Sequence, residues 1–151
     1  FANIPFTDIE YGPNFDSSHV VDATSMFEGS HISEIKFSQW DLSNLECMDD
    51  MFYECPWLVV ANFAQAKFPK LQKASCTFYK CDKLAFVDLA DVDMSHVYRL
   101  NQTFSGCSEL MAIRTRNWSV YRGALTLGIF EGCDKLDRRF LPTWAREEAC
   151  W

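Results

Sequence analysis

The chain has 151 residues, of which 48% are hydrophobic and 23% charged, so it is neither disordered nor collagen-like. Its net charge of -7 lacks the basic footprint that a general nucleic-acid-binding protein needs. The longest run without a charged residue, 55–66, is 12 residues long and contains a proline, which is too short for a helix that spans a bilayer.

The charges are unevenly distributed along the chain. Residues 1–75 hold 11 acidic and 4 basic residues, whereas residues 76–151 hold 10 of each. All seven arginines stand at or after Arg99. An acidic first half and an arginine-rich second half would orient a bound partner without identifying it.

The elements follow one another as a cap, five repeats and a second cap. Residues 1–14 contain Pro5, Gly12 and Pro13 and are predicted to cap the first repeat, and residues 143–151, with two tryptophans, to cap the last. The repeats, numbered 1 to 5 in chain order, are 15–39, 40–65, 66–91, 92–117 and 118–142.

Several columns of residues hold this repeat in register. A phenylalanine recurs about every 26 residues, at Phe27, Phe52, Phe78, Phe104 and Phe130. Three residues after each of them stand Ser30, Cys55, Cys81, Cys107 and Cys133. These columns make the repeat the firmest inference from the sequence.

Each repeat has two halves with different apolar spacing. In repeat 2, Leu45, Met48 and Phe52 follow helical spacing, and a capping box formed by Ser43 and Glu46 predicts a helix that begins near Asn44. The second half, with apolar residues at Leu58, Ala61 and Phe63, predicts a strand of 4–6 residues that buries one side. The predicted fold is therefore an α/β solenoid: a leucine-rich-repeat-like stack of five helix-strand coils with a single parallel sheet.

The repeat resembles a known family. The pattern Trp-Asp-x-Ser-Asn-x-x-x-Met-x-x-Met-Phe-x-x-Cys-x-x-Leu, complete over residues 40–58 and mostly present from Val92 to Leu110, looks like the 26-residue repeat of BspA-like bacterial leucine-rich-repeat surface proteins. Repeat 3 departs from it with Ala66 and Lys67 in place of Trp-Asp. The resemblance implies the solenoid fold, a surface-exposed adhesion or host-binding role, and no enzymatic activity.

The cysteines and histidines suggest no chemistry. The four column cysteines are predicted to be buried, reduced thiols, because cysteine packs as a small apolar residue, while the redox states of Cys47, Cys76 and Cys150 are left open. The histidines, His19, His31 and His96, do not belong to a nucleophile motif, and the first and last of them are expected to be solvated. No catalytic residue, metal or cofactor is predicted.

Two sequons are also predicted to be accidental. They are Asn101-Gln102-Thr103 and Asn117-Trp118-Ser119. Thr103 and Trp118 fall in columns expected to be buried, so glycosylation would compete with packing.

The outward side chains of the predicted strands, here called the sheet face, form the candidate partner-binding surface. The rows read Glu34, Val60, Phe86, Ala112, Arg138; Lys36, Asn62, Asp88, Arg114, Phe140; and Ser38, Ala64, Ala90, Arg116. The predicted binding residues are Glu34, Lys36, Val60, Asn62, Phe86, Asp88, Arg114, Arg116 and Arg138. Phe86 either contributes a hot spot together with the arginines or packs under a neighbouring loop.

Two functions remain open. The first is a non-enzymatic module that binds another protein as the recognition domain of a bacterial surface-exposed or secreted protein. The second is a small acidic inhibitor or effector, phage- or pathogen-encoded, that blocks a basic site on its target. The expected partner is a protein, with a glycan left open and neither nucleic acid nor membrane insertion expected. The resemblance favours the cell surface, whereas free thiols favour the cytoplasm.

Overall fold

The computed structural model describes residues 1–116 and 118–151. A single parallel sheet contains four strands in chain order. They are β1 (Glu34–Lys36), β2 (Val60–Asn62), β3 (Phe86–Asp88) and β4 (Ala112–Arg114). Paired residues are 26 positions apart, as Val60 and Phe86 are, so the sequence repeat sets the strand register.

The buried positions predicted for the first three strands are confirmed. Ile35, Ala61 and Val87, at the centres of the first three strands, are at most 3% exposed, and Phe37 and Phe63 follow them into the core. The strands have three residues each, shorter than the four to six predicted. Short strands suffice because the same apolar column is buried again in the next repeat.

The helices predicted for the first half of each repeat are wrong: the described residues contain turns there and no α-helix. The N–H groups of Met48, Asp50 and Phe52 donate across to carbonyls of repeat 3. Those of Met51 and Tyr53 close turns, to the carbonyls of Met48 and Asp50. Isolated parallel bridges join this half from one repeat to the next, at Asp22, Cys47, Lys73, Arg99 and Leu125. Neighbouring repeats therefore satisfy backbone groups that a helix would satisfy internally.

Left-handed backbone at two positions four residues apart in each arc of turns distinguishes the arc from a helix. In repeat 2 these are Asp50 (φ 57°) and Glu54 (φ 51°), and in repeat 3 Cys76 (φ 52°) and Lys80 (φ 54°). An α-helix of L-residues excludes such angles. The apolar spacing was nevertheless informative, because Met48 and Phe52 are buried as predicted.

The serines do not cap helices either. The N–H of Ser43 donates to the Asp41 carboxylate at 3.0 Å, and Ser18 and Ser95 make the same bond to Asp16 and Asp93. The aspartate of the Trp-Asp pattern thus turns the chain through a side-chain bond to the backbone two residues on.

The phenylalanine column forms a stack of rings through the core. Centroids of consecutive rings are 5.3 Å apart from Phe27 to Phe104 and 5.7 Å apart from Phe104 to Phe130, with interplanar angles of 3–12°. Each of the five side chains is at most 1% exposed. Phe1 stacks on the first ring and Trp151 contacts the last.

The cysteine column is buried as predicted, with each of its four residues at most 1% exposed. The thiols of Cys55, Cys81, Cys107 and Cys133 each donate to a phenylalanine carbonyl of the preceding repeat at 3.0 Å. All seven cysteines are free thiols in the structure. Their redox state in solution stays a prediction.

The C-terminal residues contact repeat 5. The indole N–H of Trp144 donates to the Trp118 carbonyl at 2.9 Å, and the N–H of Phe130 donates to the Cys150 carbonyl. Three 3-10 helices occupy this region: Arg138–Phe140, Thr143–Arg146 and Glu148–Cys150. These contacts agree with a cap, although the proposed division into caps and repeats stays a prediction.

Two further sequence expectations concern burial and membranes. Thr103 and Trp118 are buried as expected, whereas Asn117 of the second sequon lies outside the described residues. Within the described part of the chain, no helix combines the length and apolar character that a bilayer crossing requires.

Candidate binding face of the sheet

Parallel pairing aligns the two main rows of the sheet face. Glu34, Val60, Phe86 and Ala112 are consecutive partners in one row, and Lys36, Asn62, Asp88 and Arg114 in the other. In β2, the residues on either side of buried Ala61 are half-buried, so they stand away from the core. The register predicted for these eight residues is confirmed.

The first row offers an apolar strip. Val60 and Phe86 are half-buried, and Ala112 is exposed. For Phe86, this places the ring between the two alternatives that the sequence left open, since it is neither free in solvent nor fully covered. Aromatic side chains, phenylalanine among them, are enriched in protein interfaces.

Sequence reasoning missed two apolar side chains beside this strip. Val59 is 39% exposed and Met111 is 60% exposed. Backbone hydrogen bonds place them in one column, because Ala85 donates to Val59 and Met111 donates to Ala85. They precede the strands, so the two-residue alternation of the strands did not predict that they are exposed. Their shared position in successive repeats, occupied by an apolar residue each time, is the signal that could have found them.

The second row is polar, and its most important member is buried. Asp88 is only 4% exposed, although it was predicted to face a partner. One of its carboxylate oxygens accepts from the N–H of Ala90 at 3.0 Å, and the other accepts from the Arg114 guanidinium at 3.1 Å. Asp88 therefore holds Arg114 in place, and the arginine, with a side chain 62% exposed, is the group a partner would meet.

The other residues of the second row are held by fewer contacts than Asp88 and Arg114 are. Lys36 and Glu34 form an exposed ion pair at 3.3 Å, which contributes little to stability. The Asn62 side chain accepts from the N–H of Ala64 at 2.8 Å, and so occupies the turn-forming position that Asp88 occupies in the next repeat. This row changes from an ion pair in repeat 1 to an anchored arginine in repeat 4.

Arg116 lies just beyond β4. Its guanidinium is 3.8 Å from the Asp91 carboxylate, and its side chain is 71% exposed. Asp91 also accepts from the N–H of Gln65, so it connects repeats 2, 3 and 4. Arg116 is thus exposed beside β4, and its role in binding a partner stays a prediction.

Arg138 does not belong to the sheet face, which corrects the prediction. It lies in the 3-10 helix Arg138–Phe140, and its guanidinium is 3.9 Å from the Trp151 ring. The cause is Asp137, whose carboxylate accepts from both the N–H and the guanidinium of Arg139 and turns the chain. The same bonds lower the pKa of Asp137 to about 2.

Three neighbouring side chains superficially resemble a catalytic triad. The Nδ1 atom of His19 is 3.2 Å from the Ser18 hydroxyl and 3.5 Å from the Asp16 carboxylate. One nitrogen faces both groups, whereas a proton relay needs the two ring nitrogens to face different partners. Hydrogen bonds from Ser18 lower the pKa of Asp16, and the imidazole is 91% exposed, in agreement with the solvated role predicted for it.

The thiols of Cys107 and Cys133 are poor nucleophiles because burial disfavours their thiolates. Burial raises the pKa of Cys133 to about 12 and places that of Cys107 well above its usual range. Among residues 1–116 and 118–151, no three histidine, cysteine or carboxylate side chains are arranged to hold a metal ion.

Comparison with known proteins gives a family and no activity. The model of the family described as Mycoplasma protein of unknown function, DUF285, matches residues 7–85 and again residues 72–149. The chain therefore belongs to this family. The two matches overlap inside repeat 3, as expected when one model fits a repeating sequence in two registers. No curated protein and no solved structure matches the chain.

Proposed function

We propose that the chain is a non-enzymatic protein–protein interaction module, built as a leucine-rich-repeat-like solenoid that presents its sheet face to another protein. We further propose that it resembles BspA-like proteins in function as well as in its repeat, and serves as the recognition domain of a bacterial surface-exposed or secreted protein. The sheet face, rather than a reactive site, carries the proposal.

The single observation that supports it most is the arrangement around β3 and β4. The apolar strip ending in Phe86 and Ala112 runs beside Arg114, which Asp88 holds at 3.1 Å. Aromatic and arginine side chains dominate the binding energy of protein interfaces. An arginine already held in position loses less side-chain entropy when a partner binds.

Site-specific photo-crosslinking tests the proposal. A benzoylphenylalanine at Ala112 on the sheet face is compared with one at Ala149, an exposed alanine in the C-terminal 3-10 helix. We expect a protein partner to be captured from Ala112 only. Repeated recovery of no macromolecule from Ala112 would contradict the proposal.

Substitutions then show whether the captured partner uses the predicted residues. Phe86→Ala and Arg114→Gln should each weaken binding at least about tenfold, the size of a hot-spot loss of about 1.4 kcal/mol or more. Phe140→Ala, at a ring 82% exposed and outside the sheet, is the matched control. Unchanged affinity in both Phe86→Ala and Arg114→Gln, with each variant still folded, would refute the role of this face.

A second candidate is the small acidic inhibitor or effector that blocks a basic site. The excess of seven acidic residues in 1–75 favours it. Exposed charges are screened by salt, so this function predicts a complex that weakens steeply between 0.05 and about 0.5 M salt. A salt-insensitive complex favours the sheet-face module.

The proposed location is the cell surface or the secreted fraction, with the cytoplasm as the alternative that the free thiols favour. Protease treatment of intact cells tests it. Loss of the protein from intact cells supports surface exposure, whereas protection until lysis supports the cytoplasm.

A further inference from the structure

An apolar pocket opens at the N-terminal end of the molecule. Its volume is about 780 Å³, and none of its lining residues belongs to the four strands. Phe27, only 1% exposed, lies at its base, and Phe1 and Phe15 are 69% and 39% exposed. The pocket is thus built from residues outside the strands, and its size suits small organic molecules. Asp8, Ile9 and Tyr11 also line a neighbouring hollow together with Glu34 and Lys36 of the sheet face.

Six of the thirteen lining residues carry aromatic rings. They are Phe1, Phe6, Tyr11, Phe15, Phe27 and Trp40. The centroid of Phe15 is 4.6 Å from that of Tyr11 and 4.9 Å from that of Trp40, and the Trp40 indole N–H donates to the Tyr11 hydroxyl at 2.8 Å. These contacts hold three of the rings together as one wall.

The charged groups at this pocket are mainly acidic. Asp8 and Glu10 line it, and the described residues that line it include no lysine, arginine or histidine. The first lysine or arginine of the chain is Lys36. Residues 1–35 hold six carboxylates, at Asp8, Glu10, Asp16, Asp22, Glu28 and Glu34.

We propose that this pocket binds organic cations that carry an apolar or aromatic body. The faces of aromatic rings are negative and attract a cation placed over them, and two carboxylates at the same pocket add to this attraction. The apolar body of such a ligand displaces water from the Phe27 base of the pocket. A neutral apolar ligand would use the same walls but gain nothing from Asp8 and Glu10.

Three small probes of similar size isolate the contribution of charge. They are 2-phenylethylammonium, 2-phenylethanol and 3-phenylpropanoate, each titrated calorimetrically into the intact chain. Cation–π attraction of about 0.5–1 kcal/mol at a partly exposed site, together with the carboxylates, predicts that the cation binds about threefold to tenfold more tightly than the alcohol. The anion should bind most weakly.

Variants then assign the preference to the pocket. In Asp8→Asn with Glu10→Gln, the preference for the cation should fall to the part that the aromatic rings supply, about twofold to fivefold. Glu131→Gln with Asp134→Asn removes two exposed carboxylates from repeat 5 and should keep the preference. Phe15→Ala should weaken binding of the cation and the alcohol alike, whereas Phe140→Ala should change neither.

Several results would overturn the proposal. They are equal affinity for the three probes, tightest binding of the anion, no heat with any probe, or a cation preference that is undiminished by removal of Asp8 and Glu10. Self-association at the pocket would also overturn it. If sedimentation shows that copies associate and that Phe15→Ala abolishes the association, a second copy of the chain, rather than a cation, occupies the pocket. None of these outcomes depends on the function of the sheet face.

Discussion

Replacing Lys80 by glycine and by alanine tests the arc of turns that takes the place of the expected helix. Lys80 has φ of 54°, its N–H donates to the Ser105 carbonyl, and its side chain is about half exposed, 3.5 Å from Glu54. Both substitutions remove the same ion pair and the same contact with Tyr79. Their difference therefore reports on the backbone alone.

A left-handed turn and a helix predict opposite signs for the difference in stability between Lys80→Gly and Lys80→Ala. At a left-handed angle a side chain costs roughly 1–2 kcal/mol, and glycine loses about 0.5–1 kcal/mol through its unfolded-state entropy, so Lys80→Gly should be more stable than Lys80→Ala by about 0.5–1 kcal/mol. In a helix interior, alanine would be more stable than glycine by about 1 kcal/mol.

Urea unfolding at constant pH, followed by tryptophan fluorescence, measures the difference. Both variants should give the same m value, and the glycine variant should unfold at the higher urea concentration. Gly106→Ala is the reverse control, since Gly106 is the equivalent residue of repeat 4 and has φ of 79°. It should lower stability, because the added Cβ would lie 3.1 Å from the Lys80 side chain and 3.3 Å from the Lys80 Cα. If Lys80→Ala proves the more stable variant, this half of the repeat is helical and the reasoning fails.

Three other predictions concern the core, the thiols and pH. Phe78→Ala should lower the free energy of unfolding by about 3–5 kcal/mol, because Phe78 is stacked on both sides, and Phe1→Ala by much less, since Phe1 is 69% exposed; equal losses in urea unfolding would contradict a continuous core. Cys133, with its pKa raised to about 12, should resist alkylation in the native state and react once unfolded, as mass spectrometry would show; labelling of the native thiol at the unfolded rate would refute its burial. Hydrogen bonds from Ser43 lower the pKa of Asp41, so the stability that this carboxylate adds to the fold is present above its unfolded pKa of about 3.9 and is lost as the pH falls below that value. Asp41→Asn should therefore flatten the decrease in the free energy of unfolding at acid pH. An unchanged decrease would contradict the role of the Ser43 bond.

Much of the candidate site followed from the repeat alone. A 26-residue period with Ile35, Ala61 and Val87 at one position implies that these side chains share a row, and the strand register agrees. The exposure of individual members did not follow. Asp88 and Asn62 occupy the same repeat position, yet Asp88 is almost completely buried, because only it has an arginine in the next repeat to pair with.

The end of the repeat was the least predictable part of the site. Arg138 has the sequence spacing of a strand residue, but Asp137 bonds to Arg139 and the chain turns into a 3-10 helix. A local side-chain bond prevails here because no apolar residue at position 139 rewards continuation of the sheet. The aromatic pocket was likewise not anticipated, since it forms only when residues 1–15 fold against Phe27 and Trp40.

The sequence by itself determined the period, the phenylalanine and cysteine columns and the direction in which the strand residues point. These depend on the apolar pattern, and burial of that pattern is the main driving force of folding. The sequence did not distinguish a helix from an arc of turns, because Met48, Met51 and Phe52 have the same apolar spacing in both. That choice depends on where backbone N–H groups find acceptors. Only the tertiary structure, in which repeat 3 offers its carbonyls to repeat 2 at every second residue, supplied those acceptors.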